Sequence, residues 1–239
     1  MEMKIQGISL TVEKKKIKNM YLKVLPPDGK VVISAPKRMS QKAIEEFVIS
    51  KSSWIQEKRK KYESREIEKE LQFLTGEQIP LFGQLYPLEV TYSNASKEYD
   101  KVLFTGEKIQ MQVKEGSTKE QRERYLNEWY RKQLKSRIPE LIEKWQPVMK
   151  VHVKEWNVKN MKTRWGTCNI AAQRIWLNLQ LAKKKPECLE YVVVHEMTHL
   201  LEQNHNGRFY GFMDLFLPEW RKLRTELNGQ TGLSPACPK

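Results

Sequence analysis

Three of the four histidines in this 239-residue chain, His195, His199 and His205, fall within the eleven residues HEMTHLLEQNH. His195 and His199 are four apart, so a helix puts both imidazoles on one face, one turn apart. Two ring nitrogens so placed can converge on one Zn2+ at about 2.0–2.1 Å. Glu196 follows the first of them, where its carboxylate leans beside a metal without binding it and can take a proton from water. The rest of the segment, with Val192, Val193, Met197, Leu200 and Leu201, reads as a buried helix. Burying three imidazoles and a carboxylate on it is costly without a ligand. The alternative is a hydrogen-bonded pair of core histidines with a paired glutamate.

The third ligand needs a break in the helix. A continuous helix would carry His205 about 9 Å from His199 and onto another face. Asn204, Asn206 and Gly207 are residues that tolerate the left-handed backbone of a helix C-terminus, so the chain can turn back and bring His205 to the site. A carboxylate on the last helix, Glu219 or Asp214, is the competing third ligand. Three neutral histidines leave the fourth position of a zinc ion open, the pattern of a catalytic site.

The elements that must position these residues are legible in outline. Residues 3–35 read as strands, KIQGISLTVE, NMYLKVLP and KVVISAP, with a turn at Pro27-Asp28-Gly29. Ser40 is the expected N-cap of a helix to about Arg65 carrying Ile44, Phe47, Val48, Trp54 and Ile55. QIPLFGQLYPLEVTY and KVLFTGEKIQMQV alternate like strands. Ser117-x-x-Glu120 reads as a capping box opening a helix to about Val148, with Tyr125, Trp129, Leu134, Ile138, Leu141, Ile142 and Trp145 inward. VHVKEWNV, the loop KTRWGTC and the strand RIWLNLQL follow. Pro186 opens the histidine helix, which is expected to run to about Gln203. A last helix, about Gly207 to Leu227, should be interrupted near Pro218. The expected fold is α+β: a β-rich part with one helix over residues 1–116, then a helix-rich catalytic part over residues 117–239.

Charge gives a second lead. The net charge is +14, concentrated in residues 1–70 (+7) and 121–190 (+9). A basic surface attracts nucleic acid or acidic substrates, or simply keeps the protein soluble. Lys14-Lys15-Lys16 and Lys58-Arg59-Lys60-Lys61 lack the interleaved aromatics of a single-strand platform. No apolar run nears the ~20 residues of a membrane span, and MEMKIQGISLTVEKKKIK has no signal-peptide core. The expectation is a soluble, cytoplasmic protein without membrane partners. Cys168, Cys188 and Cys237 are odd in number and scattered, which implies no disulfide framework.

HEMTHLLEQNH, taken with KTRWGTC, RIWLNLQL and RFYGFMDLFLPEWRKL, resembles the YgjP-like metallopeptidase family. DGKVVISAPKRMSQKAIEEFVISKSSWIQEK, GEQIPLFGQLYPLEV and WYRKQLKSRIPELIEKW extend the resemblance over nearly the whole chain. It implies a zincin-like catalytic domain, related in its core to SprT-like and Wss-like proteases. It implies one Zn2+ per chain at His195, His199 and His205, with Glu196 as base. The H-x3-H-x5-H spacing also matches metzincins, but their Gly position is Glu202 here and no Met-turn is evident.

In zincin proteases the strand before the metal helix pairs with an extended peptide, which makes RIWLNLQL, with Asn178, a candidate substrate strand. Arg164 and Trp165 in KTRWGTC are candidates to approach the cleft, and Tyr210 or Arg208 to stabilise an oxyanion. Cys168 reads as a small buried residue, Cys188 as too far along the helix to share the ion, and His152 as structural. The favoured function is a zinc-dependent peptidase acting on peptide or protein. A nucleotide phosphoanhydride hydrolase, and a basic nucleic-acid-binding protein with an accessory zinc domain, are the alternatives.

Overall fold

The computed structural model describes residues 2–25, 29–63, 71–93 and 101–230. The expected turn residues Pro27 and Asp28, the far helix end at Arg65, and Cys237 lie outside them. The chain divides into two compact units, Met1–Leu71 and Gln72–Lys239. Among the described residues no helix is long and apolar enough to cross a membrane.

The first unit is a four-stranded sheet with two helices. Its strands are β1 (Glu2–Ile5), β2 (Ile8–Lys15), β3 (Tyr21–Leu25) and β4 (Lys30–Pro36), in the order β1-β2-β4-β3. The segment read as one strand, KIQGISLTVE, is two. Gln6 and Gly7 both take positive φ, the geometry of a two-residue hairpin turn, so Ile5 and Ile8 face the same core. β2 and β4 are parallel, and their alternate residues Leu10, Val12, Val31, Ile33 and Ala35 are buried. Ser40 caps the following helix as expected, accepting from the Ala43 amide at 3.2 Å. That helix is two rather than one, α1 (Gln41–Ser50) and α2 (Ser52–Glu63), broken at Lys51; Ile44, Val48 and Ile55 close the core.

The second unit carries the histidines. Its first sheet comprises β5 (Gln78–Leu81), β6 (Gln84–Tyr92), β7 (Lys101–Phe104) and β8 (Ile109–Val113), in the order β5-β6-β8-β7. Residues 72–113, grouped with the amino-terminal part in the sequence reading, pack within this unit. The Tyr130 hydroxyl donates to the Pro80 carbonyl and the Phe82 amide to the Ala182 carbonyl. The long helix α3 (Lys119–Met149) starts one residue later than expected, because Thr118 and Gln121 form the capping box. The overlapping Ser117 is occupied by the Arg122 guanidinium, which takes its carbonyl and hydroxyl. Trp129, Leu134, Ile138, Ile142 and Trp145 are buried as expected. Tyr125 and Leu141 are only half-buried, and Leu126, Tyr130 and Met149 fill the remaining inward positions.

A second sheet has β9 (Glu155–Lys159), β10 (Gly166–Asn169) and β11 (Arg174–Asn178) in the order β10-β11-β9. A 3-10 turn, Leu179–Lys183, leads to α4 (Pro186–Thr198), α5 (Gly207–Phe216) and α6 (Trp220–Gln230). Pro186 opens α4, and the chain breaks between α5 and α6 at Pro218, both as the sequence implies. α4 is the centre of the unit: Val192, Val193, Val194 and Met197 are buried, with α3, α5, α6 and β10 packed around them.

Candidate metal centre

α4 stops at Thr198, earlier than the expected Gln203, with His199 as its cap. The chain tightens there through Leu200 and Leu201 amides bonding back to Met197 and Thr198 at 3.0 and 2.9 Å. None of Asn204, Asn206 and Gly207 takes the left-handed conformation expected of them. Asn206 instead caps α5, accepting from the Phe209 amide at 3.0 Å. The turn therefore works by ending one helix with 3-10 bonds and starting the next with an Asn cap. Thr198 ties the two, donating to Val194 at 2.8 Å with its hydroxyl 3.4 Å from the Met213 sulfur.

The result is a cluster of His195, His199 and His205 whose ligand atoms all lie within 4.8 Å of one another. The Nε2 atoms of His195 and His205 are 3.0 Å apart. His199 Nδ1 lies 3.2 Å from the Glu202 carbonyl. A proton on Nδ1 donated there leaves the lone pair on Nε2 free. Burial, reinforced by the neighbouring histidines, holds His195 well below the ordinary imidazole range and lowers His205 to about 4; burial also lowers His199. All three are therefore neutral at physiological pH, as ligation requires. Tetrahedral bonds of about 2.05 Å set nitrogens ~3.3 Å apart, so the 3.0 Å spacing fits a shared ion closely. Among the described residues neither Glu219 nor Asp214 joins the cluster: Glu219 is exposed, and Asp214 accepts from Trp220 Nε1 at 2.8 Å and pairs with Arg221.

Two residues outside the sequence reading shape the centre. Phe209 is fully buried, and its ring lies 5.0, 4.7 and 4.5 Å from the rings of His195, His199 and His205, a common wall for all three. Gly166, the first residue of β10, lies directly against Glu196. A Cβ there would stand 2.5 Å from Oε1, 2.7 Å from Cγ and 2.8 Å from Cδ. Glu196 is 5% exposed, and burial pushes its carboxyl pKa up to about 8, against a downward pull from Arg164. A divalent cation beside it would add a second force favouring the ionised form.

The second-tier candidates separate. Arg164 is exposed and close enough to act on Glu196. Trp165 is buried, with its Nε1 among the buried atoms lacking a hydrogen-bond partner. Asn178 is fully buried, and its amide is spent internally. It donates to the carbonyls of Met161 and Arg164 at 2.8 and 2.6 Å and accepts from the Met161 and Gln180 amides. It fixes the loop that carries Arg164 and Gly166 rather than facing a ligand. β11 has both edges taken, by β10 and β9, so the strand expected to receive a peptide cannot do so; β10 and β9 are the edge strands. Tyr210 lies 6.3 Å from the His205 ring, whereas Arg208 is exposed over Phe212. Cys168, on β10, is half-buried with its thiol pushed up to about 12 by burial and by Glu196.

An α+β unit in which an H-E-x-x-H helix and the turn after it gather three neutral imidazoles has the makings of a metal-dependent hydrolase. The comparison with known families narrows this. Residues 18–230 match the family described as YgjP-like, metallopeptidase domain, and the chain belongs to it. That membership makes the protein a metal-dependent peptidase in general kind. Among solved structures, the metallopeptidase zymogen of Pyrococcus abyssi abylysin is similar at 14% identity and a TM-score of 0.39, over 41% of this chain and 99% of that one. The metallopeptidase zymogen of Methanocaldococcus jannaschii jannalysin is similar at 16% identity and a TM-score of 0.35, over 39% of this chain and 95% of that one. No curated protein matches the sequence.

Proposed function

We propose that the protein is a zinc peptidase in which His195, His199 and His205 hold one Zn2+ and Glu196 is the general base. The observation that carries this is the meeting of three neutral imidazoles beside a buried carboxyl one residue from the first of them. Three imidazoles are a donor set suited to zinc, with one position left for water or substrate. A zinc ion held by His195, His199 and His205 would supply Lewis acidity toward the scissile carbonyl and water. Glu196 takes the proton of the attacking water and delivers it to the leaving amine. Its buried setting, with a pKa near 8 before the cation is counted, suits a group that must both accept and return a proton.

The substrate in this reading is an extended peptide. It lies along the open edge of β10, where main-chain pairing supplies affinity without sequence preference. Gly166 brings that edge into contact with Glu196, so a peptide bond held there sits beside the base. Arg164 lies near Glu196, Tyr210 near His205, and Trp165 is buried just before β10. The peptidase family favours this substrate over a nucleotide phosphoanhydride.

The test is metal analysis beside a peptide-cleavage assay. Wild type should hold about one zinc per chain; His195→Ala, His199→Ala and His205→Ala should each lose it, while Glu219→Ala and Asp214→Ala keep it. Glu196→Gln should keep zinc and lose roughly a hundredfold or more in turnover. Full zinc in the histidine variants, or near-normal turnover in Glu196→Gln, overturns the proposal.

A further inference from the structure

A half-buried cation stands near the three histidines without a counter-charge among the described residues. Trp220, the first residue of α6, stacks face to face on Tyr210 with centroids 5.4 Å apart and planes 7° apart. Tyr210 in turn faces the His205 ring at 6.3 Å and 28°. One helical turn beyond Trp220, the Arg224 guanidinium lies 5.9 Å from the Trp220 ring. Arg221 also covers that ring, at 4.5 Å, but it is exposed and paired with Asp214. Arg224 differs on both counts: it is half-buried and makes no hydrogen bond or ion pair among the described residues. Its charge acts on Tyr191, His195 and His205, which sets the guanidinium near all three. Tyr191 itself packs 5.8 Å from His195.

An unpaired guanidinium withdrawn from water is unfavourable, and beside a dication it is more so. One anion placed between them would relieve both. The guanidinium fork matches two oxygens of a carboxylate in a way a point charge does not. The residues already assigned to the base and to the metal leave this cation unused.

We propose that Arg224, against the Trp220 ring on which Tyr210 stacks, is an anion subsite of the active centre that takes a carboxylate of the substrate next to the scissile bond. The substrates are therefore peptides with a free C-terminal carboxylate, or an acidic side chain, immediately beside the bond cleaved. The proposal rests on the peptidase reading for its substrate, but the subsite has a binding test that does not require cleavage.

Zinc-loaded wild type, Arg224→Met and Arg224→Lys are compared on three acylated peptides. One has a free C-terminal carboxylate, one the same sequence as an amide, and one an amide end with a Glu beside the scissile bond. Wild type should prefer a carboxylate-bearing peptide over the neutral one by about ten- to hundredfold in kcat/KM, the range of a charge-assisted hydrogen bond. The free-terminus and Glu peptides decide which carboxylate it is. The preference should fall to about one in Arg224→Met and survive in part in Arg224→Lys, with zinc content unchanged. In parallel, metal-free protein is titrated with N-acetylphenylalanine, its amide and inorganic phosphate, followed by tryptophan fluorescence. The carboxylate should bind wild type and not Arg224→Met. No preference in wild type, an undiminished preference in Arg224→Met, or Arg224-dependent binding of phosphate alone would overturn the subsite. Failure of wild type to cleave any of the peptides would instead count against the peptidase reading, while the titration still decides on Arg224.

Discussion

Gly166→Ala is the most incisive test of the proposed mechanism, because it touches Glu196 and none of the three histidines. The added Cβ would stand 2.5 Å from Glu196 Oε1 and 2.7–2.8 Å from Cγ and Cδ. Non-bonded carbon contacts settle near 3.5–4.0 Å, so the carboxylate must retreat by roughly 1 Å. The helix cannot retreat with it, since Val193, Val194 and Met197 around Glu196 are fully buried. The backbone of Gly166 is not in the left-handed region, so alanine adds no conformational strain of its own and the clash is the whole effect. A misplacement of about 1 Å costs a catalytic group on the order of a hundredfold, and overpacking costs about 1–3 kcal/mol of stability. Gly166→Ala should therefore lose about a hundredfold in kcat/KM on a peptide substrate while zinc stays near one per chain. Gly166→Ala combined with Glu196→Gln should be little worse than Glu196→Gln alone, because both act through one carboxylate. Near wild-type turnover in Gly166→Ala, or additive losses in the double variant, would refute the contact as the setting of the base.

Phe209→Ala should destabilise the protein by about 3–5 kcal/mol in denaturant titration and weaken zinc, since one ring walls all three imidazoles; unchanged zinc affinity would separate packing from the centre. Asn178→Ala should cost about 3 kcal/mol, leaving the Met161 and Arg164 carbonyls and the Met161 amide unpaired, and lower peptide turnover with zinc retained. Cys168 in metal-free protein should alkylate roughly a thousandfold more slowly than a free cysteine at pH 8, since a thiol near 12 is scarcely ionised there. Glu196→Gln should speed that alkylation by removing the one charge that, beside burial, raises the thiol; site-resolved mass spectrometry reads both.

What the sequence made legible was local. His195, Glu196 and His199 are linked by helical spacing, and the helix needs only its own residues to place them. The need for a break before His205 was equally visible, but its means was not. Asn204, Asn206 and Gly207 suggest a left-handed stop, whereas the observed turn uses 3-10 bonds and an Asn206 cap. Both solutions are open to the same residues, and packing of Phe209 under the imidazoles selects between them. Ser117 and Thr118 pose the same problem, two overlapping capping boxes decided by where Arg122 reaches. Strand identity without sheet order also misled. RIWLNLQL has the composition of a strand, but only its pairing on both sides shows that it cannot receive a peptide.

Glu196 shows why the remainder was out of reach. Its burial and its contact with Gly166 come from a residue thirty positions earlier. The loop carrying Gly166 is held by Asn178, and the Arg224 cation stands on a helix after it. None of these relations has a period or a spacing. Each depends on which strand lies at the edge of the second sheet and which helix packs on α4. A motif can therefore name a candidate base and candidate ligands, whereas the burial that pushes Glu196 up to about 8 and the charge that would select a substrate belong to the fold around it.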